Sequence, residues 1–348
     1  MGAVKPDKQR RRKNLMSKRL VYMVVDTETA TLPFANDIAE NSEAKKNIAI
    51  AKPLVYDIGW TLMYRDGTVF EKKQFLVTET FSVPAVFNTA YYASKRPLYL
   101  AMMERGEIEC LPWNTIMEAF ITDLEKCDYV GAFNSMFDFK KAIPFTELYI
   151  KKLYSPEYFD WEKIQYAICE RIAAGVKMEN NNDFDKYHFV FRDGEYDLFD
   201  VWGLAADRLL NKKAYKEKCL ELGMLSASGD YFKTSAEACF RYICSDWDFE
   251  EAHTALADAE IESAILAKIL TKGKIDLGIG YFPFRTLGNP FQYVSEMPDG
   301  AKRRKFAKTV HDALCDYCGL YSDEPKKANR NYDKTVAKIE LLREMMGE

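Results

Sequence analysis

The 348-residue sequence contains no long apolar run. No stretch approaches the roughly 20 uninterrupted apolar residues of a membrane-spanning helix. The cationic start is not followed by the apolar segment of a secretory signal, because Lys18 and Arg19 interrupt before the first strand-like residues. Pro6 stands where N-myristoylation of Gly2 favours Ser or Thr. We therefore expect a protein that has no membrane partner and a cytoplasmic location.

Histidine is scarce, with three residues, and the cysteines lack a full zinc-binding pattern. Cys315 and Cys318, preceded by His311, have part of the required spacing, but no second Cys pair follows. A pair of helical thiols is the favoured interpretation, and a zinc site is the alternative. His188 lies in an aromatic segment and is expected to be a hydrogen-bonded structural residue. The eight cysteines are expected to be reduced thiols.

Positive charge is concentrated at the start of the chain. The net charge is −4, but residues 1–19 hold eight bases and one acid, a net of +7, which leaves −11 on the other 329 residues. A second basic cluster comprises Lys302, Arg303, Arg304, Lys305 and Lys308. A solvated helix face is the default interpretation of this cluster, whereas contact with phosphates outside an active site is the alternative. Net charge alone therefore does not exclude a nucleic-acid partner.

The order of secondary-structure signals predicts an α/β fold. A content of 48% hydrophobic residues is enough for a sizeable core and excludes disorder of the whole chain. Strands are predicted at 20–25, 54–64, 68–77, 129–133 and 196–199, with hairpin turns at Asp66-Gly67 and Asp193-Gly194. Helices are predicted at 112–126, after 133, from 155, and at 201–210, 234–243 and 252–270. This order favours a mixed five-stranded sheet flanked by helices.

Three segments are predicted along the chain. Residues 1–19 form a basic arm, and residues 20–270 form the main domain, with an insertion near 150–195. Residues 271–348 begin with Gly, Pro and aromatic residues and continue as two charged helical segments. We expect them to form a small, mainly helical C-terminal extension.

A pair of carboxylates marks the end of the first predicted strand. Asp26 and Glu28 are two residues apart, so their side chains point to the same face of a strand. Such a pair is unfavourable without a cation between the two groups. Because Asp26 ends a strongly apolar strand, solvated surface acids are a poor explanation for the pair.

Two further pairs of polar residues are weak evidence for a functional site when each pair is considered alone. Asn134 and Asp138 follow a predicted strand, where a capped helix with an acid in its first turn is a sufficient explanation. His253 precedes Asp258 by five residues in a segment predicted to be helical. Five residues rotate a helix by roughly 140°, so the two side chains converge only if His253 lies at the frayed helix start.

Together, the three motifs resemble the DEDDh family of 3′-to-5′ exonucleases, which includes the epsilon subunit of bacterial DNA polymerase III, RNase T and oligoribonuclease. The motifs are Asp-x-Glu-Thr at 26–29, Asn-x-x-Phe-Asp at 134–138 and His-x-Ala-x-x-Asp-Ala at 253–259. The segment Tyr56-Asp57-Ile58-Gly59 is similar to the family's second strand. The resemblance covers about residues 20–270.

The resemblance implies an RNase H-like fold and metal-dependent hydrolysis of DNA or RNA from the 3′ end. Asp26 would bridge two divalent cations, Mg²⁺ or Mn²⁺, while Glu28 and Asp258 complete the first site and Asp138 supports the second. His253 would be the general base that deprotonates the attacking water. Hard oxygen ligands and a two-metal site suit this chemistry.

The sequence departs from the family pattern beside the motifs. The family often continues as Thr-Thr-Gly, whereas Ala30, Thr31 and Leu32 follow Thr29 here. Thr29 and Leu32 are predicted to contact the 3′ nucleotide. Asn134 is predicted to contact substrate. Phe133 stands where the family commonly has His, and it is either a core residue or a surface for base stacking.

Two alternatives to an exonuclease stay open. A catalytically silent nucleic-acid-binding protein would retain the fold, although none of the five motif residues is missing. A small-nucleotide phosphodiesterase would use the same fold on a different substrate. The preferred nucleic acid and the oligomeric state are not predicted.

Overall fold

A computed structural model describes residues 19–31, 53–153, 188–275, 283–320 and 332–347. Within these ranges the protein contains a seven-stranded mixed sheet with the order β4-β3-β2-β1-β5-β7-β6. The strands are β1 (Val21–Ala30), β2 (Leu54–Tyr64), β3 (Val69–Val77), β4 (Glu109–Leu111), β5 (Tyr129–Ala132), β6 (His188–Phe191) and β7 (Gly194–Asp200). β1 pairs antiparallel with β2 and parallel with β5, so the sheet is mixed.

Helices make up most of the remaining described residues. They are α1 (Thr78–Phe81), α2 (Pro84–Phe87), α3 (Arg96–Glu104), α4 (Trp113–Leu124), α5 (Ser135–Phe137), α6 (Ile143–Leu153), α7 (Val201–Ala205), α8 (Lys213–Leu222), α9 (Ala236–Cys244), α10 (Ala255–Leu270), α11 (Pro290–Ser295), α12 (Ala301–Cys318) and α13 (Tyr332–Met346). Two π-helical turns (Asp138–Ala142 and Ala206–Leu210) and two 3₁₀ turns (Ala93–Lys95 and Pro283–Leu287) complete the described helical elements.

The prediction of an α/β protein with a mixed sheet and flanking helices is confirmed, but the count of five strands is wrong. Two edge strands bring the described sheet to seven. Edge strand β4 has only three residues, too few to show an alternating pattern. The other, β6, lies in the aromatic segment around His188 and is paired with β7 through the predicted turn at Asp193. The helix predicted from residue 155 lies outside the described residues.

The first strand is longer than predicted. It was expected to end at Asp26, yet β1 continues to Ala30. Backbone pairing with β2 explains the extension, since Asp26 lies opposite Gly59 and Glu28 lies opposite Asp57. The register shifts between Glu28 and Thr29, which is a β-bulge directly after the second carboxylate. The two acids therefore lie within a paired strand that bends beside them.

The core of the sheet is apolar, and the helix predicted at 112–126 is present as α4 and packs onto the sheet. Ile116, Phe120 and Leu124 are fully buried on one face of α4. The Phe120 ring lies 5.3 Å from the ring of Trp60, which is on β2. Burial of each such side chain contributes about 1.5–3 kcal/mol. This packing holds β2 in place behind the polar residues of β1.

A buried carboxylate joins α4 to the sheet. Asp123 is fully buried and accepts hydrogen bonds from Trp60 Nε1 at 2.8 Å, Lys73 Nζ at 2.7 Å and Lys126 Nζ at 2.6 Å. Burial alone would raise the pKa of Asp123, but the bonds from Lys126, Lys73 and Trp60 bring it below its usual value. The carboxylate is therefore ionised and satisfied.

Replacing this carboxylate should destabilise the fold strongly. We expect Asp123→Ala to lower the free energy of unfolding by roughly 3 kcal/mol, because an indole and two ammonium groups lose a shared acceptor. Urea-induced unfolding measures the change. Glu118→Ala, at an exposed position of the same helix, is the control and should change it by less than about 0.5 kcal/mol. Equal losses in the two variants would contradict a stabilising role for the Asp123 network.

The chain separates into two compact units. One comprises Met1–Gly131, Met136–Leu198 and His253–Ser263, and the other comprises Ala132–Ser135, Phe199–Ala252 and Ala264–Glu348. Each unit combines separate segments of the chain, so this division does not test the predicted boundary at residue 270. The boundary stays a prediction. None of the helices in the described ranges combines the length and apolarity of a transmembrane span.

The second basic cluster lies on the first three turns of α12 and is partly neutralised. Lys302 pairs with Glu217 at 2.8 Å, Lys308 pairs with Asp312 at 3.2 Å, and Arg303 pairs with Asp299. Its exposed residues fit the solvated helix face that was expected. Of the basic arm, residues 1–18 lie outside the described residues.

Candidate active site

Acidic side chains converge around Asp26 within the first compact unit. Asp26 is half-buried on β1, and burial raises the pKa of its carboxyl well above the usual value. The charges of Glu262, Asp138, Asp258 and Glu28 raise this pKa further. All four acids predicted from the sequence are therefore brought together, and Glu262 joins them. So many carboxylates at one place repel each other and attract cations.

His253 lies at the same place as two of these acids. Ligand atoms of Glu28, His253 and Asp258 all lie within 4.8 Å of one another. The helix α10 begins at Ala255, so His253 precedes it and Asp258 lies in its first turn. His253 has a left-handed backbone with φ of 49°, and its Nδ1 lies 3.9 Å from Asp258 Oδ2. The geometric condition for convergence of this pair is met.

Asp138 is held by a residue within the first motif. It opens the π-helical turn Asp138–Ala142 and is 2% exposed. The hydroxyl of Thr27 donates a hydrogen bond to Asp138 Oδ1 at 2.6 Å. Thr27 lies between Asp26 and Glu28, so the strand that carries two acids also orients a third. A π-helical turn is frequent at functional sites because it redirects one side chain within a helix.

Asp57 on β2 forms a hydrogen bond with the start of α10. This buried carboxylate accepts hydrogen bonds from the main-chain amide of Ala255 at 3.0 Å, Tyr99 Oη at 2.8 Å and Gln74 Nε2 at 2.9 Å. Burial raises the pKa of Asp57 to about 6. A Cβ at Gly59 would lie 2.4 Å from the backbone nitrogen of Leu256, so the helix rests directly on this glycine. Asp57 and Gly59 thereby position the helix that carries Asp258.

The donor set fits a divalent cation. Asp258 is 8% exposed, and its Oδ1 has no hydrogen-bond partner among the described residues. Its carboxylate also accepts a hydrogen bond from the main-chain amide of His253. A buried oxygen without a donor is costly unless a ligand satisfies it. Carboxylate oxygens around such an atom suit hard cations such as Mg²⁺ and Mn²⁺.

Aromatic residues surround the histidine. The Tyr92 ring stacks on the His253 ring with centroids 4.4 Å apart, and the Lys95 ammonium lies 4.7 Å from the Tyr92 centroid. Lys95 Nζ also donates to the main-chain oxygen of His253 at 3.1 Å. Tyr91 is 89% exposed and packs edge-on against Tyr92. The imidazole of His253 is therefore stacked on Tyr92, which in turn contacts the exposed ring of Tyr91.

The four residues predicted to contact substrate do not all lie in the first compact unit, where the acids and His253 are found. Thr29 is half-buried on β1 just after the bulge, and Leu32 lies outside the described residues. Phe133 and Asn134 belong to the second compact unit. There, Phe133 is half-exposed and stacks on Trp202 with centroids 6.1 Å apart. Asn134 has φ of 75°, and its amide donates to the carboxylate of Asp200. Their substrate roles stay predictions.

The cysteine and histidine cluster near the end of α12 is a pair of thiols beside an imidazole. Cys315 Sγ lies 3.6 Å from His311 Nε2, and both residues are buried. The described residues contain one group that meets the geometry of a metal site, and it is Glu28, His253 and Asp258. The favoured interpretation of helical thiols fits these contacts.

Sequence reasoning missed several residues that contact or surround the site. These are Thr27, Tyr91, Tyr92, Lys95 and Glu262. The spacing of Glu262, one helical turn after Asp258, was a usable signal, since residues four apart share a helix face. The tyrosine pair and Lys95 carry no periodic pattern, so their proximity depends on tertiary structure.

The metal-free protein should lose stability as pH rises from about 4 to about 7. Burial raises the pKa of Asp258 from 3.8 to about 7, with Lys95 and the His253 amide opposing the shift and Asp57 adding to it. The folded state binds this proton more tightly than the unfolded state does. The stability that the Asp258 carboxyl contributes is therefore full below pH 3.8 and is lost as pH approaches 7. Asp57 acts in the same direction.

Thermal unfolding in EDTA at pH 5 and pH 8 measures this loss. We expect a transition temperature several degrees lower at pH 8, and Mg²⁺ should reduce the difference by binding the ionised carboxylates. Asp258→Asn should show a smaller pH dependence. An identical pH dependence in the wild type and this variant would contradict the assignment of the effect to Asp258.

Comparison with protein-family models, with curated proteins and with solved structures finds no match to this chain. What the site does must therefore be inferred from its own residues.

Proposed function

We propose that this protein is a metal-dependent 3′-to-5′ exonuclease with an RNase H-like fold, similar to the DEDDh family. The observation that carries the proposal is the convergence of Asp26, Glu28, Asp138, Asp258 and His253 in one compact unit. These residues come from three distant segments of the chain, and each was predicted from a motif of the same family. The order of strands, with β1 paired antiparallel to β2 and parallel to β5, is compatible with that fold.

Each residue has a role that its surroundings support. Asp26, Glu28, Asp138 and Asp258 would hold two divalent cations, which when bound supply Lewis-acid activation of a water and stabilise the leaving 3′ oxygen. His253 accepts the proton of the attacking water, and its ring is oriented by stacking on Tyr92.

The surroundings of His253 favour a strand of nucleic acid over a free small nucleotide. Tyr91 is exposed beside the stacked pair of Tyr92 and His253, and bases of single strands stack on such rings. Lys95 places a cation at the same side of the site, where a phosphate would be attracted. The basic residues in 1–19 would add sequence-independent attraction. A cytoplasmic location is part of the proposal.

Digestion of end-labelled strands tests the proposal. We expect the full-length protein with Mg²⁺ to shorten 5′-labelled single-stranded DNA or RNA stepwise from the 3′ end. EDTA should stop the reaction. A gel shift without products would instead indicate a silent binding protein. If dinucleotides are hydrolysed while longer strands stay intact, the protein is a small-nucleotide phosphodiesterase.

A further inference from the structure

Glu262 lies one turn after Asp258 on the same face of the helix α10. It is 3% exposed, so its carboxyl is removed from solvent as fully as that of Asp138. The rotation of the helix is fixed at both ends of this stretch. At the start, Asp57 binds the Ala255 amide, and further along, Ser263 Oγ lies 2.5 Å from Thr61 Oγ1 of β2. Glu262 therefore follows Asp258 toward the acids on β1.

Glu262 lies close enough to Asp26 for its charge to act on that carboxyl. Burial is the largest cause of the raised pKa of Asp26. Among the charged groups that raise this pKa further, Glu262 contributes most. Asp258, on the same helix face, has a buried Oδ1 without a hydrogen-bond partner among the described residues. This orphaned oxygen is an independent sign that a ligand belongs at the site, since buried polar atoms are nearly always paired.

We infer that Glu262 is a fifth acidic residue of the cation site and increases its affinity for divalent ions. The inference rests on the proposed function, whose four-acid set leaves Glu262 without a role. Glu262 would offer an oxygen donor on the side of Asp26, either to a cation or to water bound to it.

The competing explanation is that Glu262 is a purely structural buried side chain. A structural role predicts that loss of its carboxylate lowers the stability of the metal-free protein and leaves cation affinity unchanged. A role in the cation site predicts weaker cation binding, because the variant lacks one oxygen donor.

Mn²⁺ binding to the full-length protein without nucleic acid separates the two explanations. We expect Glu262→Gln to weaken Mn²⁺ binding by about tenfold or more, as measured by calorimetry or by the signal of free Mn²⁺. Its unfolding transition in EDTA shows that the variant is folded. The matched control is Glu260→Gln, at an exposed glutamate of the same helix that pairs with Lys72 at 2.7 Å. This control should bind Mn²⁺ as the wild type does.

Unchanged Mn²⁺ affinity in Glu262→Gln would overturn the inference. If this variant does not fold, Mn²⁺ binding is measured with Glu262→Asp instead. The Asp side chain keeps the charge but is shorter by one methylene group, so its carboxylate lies farther from the site. Weaker Mn²⁺ binding by the Asp variant supports the inference, and wild-type affinity overturns it. Failure of the proposed function is a separate result. A protein that binds Mn²⁺ through Glu262 but digests no strand retains the cation site and is not an exonuclease.

Discussion

Replacing Asp26 by Asn should abolish nuclease activity while leaving the protein folded. We expect the rate of strand shortening in Mg²⁺ to fall by on the order of 10³-fold or more, equivalent to at least about 4 kcal/mol of transition-state stabilisation. Asp26 is the acid around which Glu28, Asp138, Asp258 and Glu262 converge, so it is the group best placed to contact both proposed cations. Digestion of 5′-labelled single strands measures the rate.

Loss of activity through misfolding would look different. Burial and the neighbouring acids disfavour the charge on Asp26, so Asp26→Asn should be at least as stable as the wild type in EDTA at pH 8. The control Asp193→Asn alters an exposed turn and should retain full activity. A folded Asp26→Asn protein with more than a tenth of wild-type activity would contradict the proposed role.

Replacing His253 by Gln should slow the chemical step without weakening the cation site. Loss of a general base costs typically 10²–10⁴-fold in rate. Tyr92 stacking and the Asp258 contact fix the ring in the wild type. Single-turnover rates from pH 5.5 to 9 measure the effect.

A ring nitrogen of His253 lies within 4.8 Å of carboxylate oxygens of Glu28 and Asp258, so a role as a cation ligand has to be separated from that of a base. If His253 is the base, Mn²⁺ affinity of the Gln variant stays within a few-fold of the wild type and saturating Mn²⁺ does not restore the rate. Recovery of the rate at high Mn²⁺ would show that His253 is a ligand. His188→Gln, on strand β6, is the matched control and should leave rate and affinity unchanged.

Local patterns predicted much of the secondary structure. The turn at Asp66-Gly67 joins β2 and β3 as expected, with Gly67 at φ of 91°, because Gly accepts this left-handed backbone without strain. The helix predicted at 112–126 is present as α4. The end of β1 was missed because a polar residue usually terminates a buried run. Pairing across to Gly59 and Asp57 instead continues the strand beyond Asp26.

The site was predictable where a motif is compact and unpredictable where contacts join distant segments. The five motif residues were selected through the family resemblance of their motifs, and the structure brings them together. By contrast, Asp57 holds the amide of Ala255, which is 198 residues away in sequence, and Tyr92 reaches His253 from a turn with no helical or strand periodicity. Glu262 was not predicted, although it lies one helical turn after Asp258, and its burial depends on the packing of α10 on β2.

The most direct test of the central claim is the chemistry of the released product. Digestion of single-stranded DNA or RNA with Mg²⁺ in ¹⁸O-labelled water, followed by mass spectrometry, shows which bond water attacks. We predict nucleoside 5′-monophosphates that carry one ¹⁸O and a shortened strand that ends in a 3′ hydroxyl. Nucleoside 3′-phosphates, unlabelled cyclic phosphates, or the same products in EDTA would contradict a metal-dependent attack of water at the 3′ end.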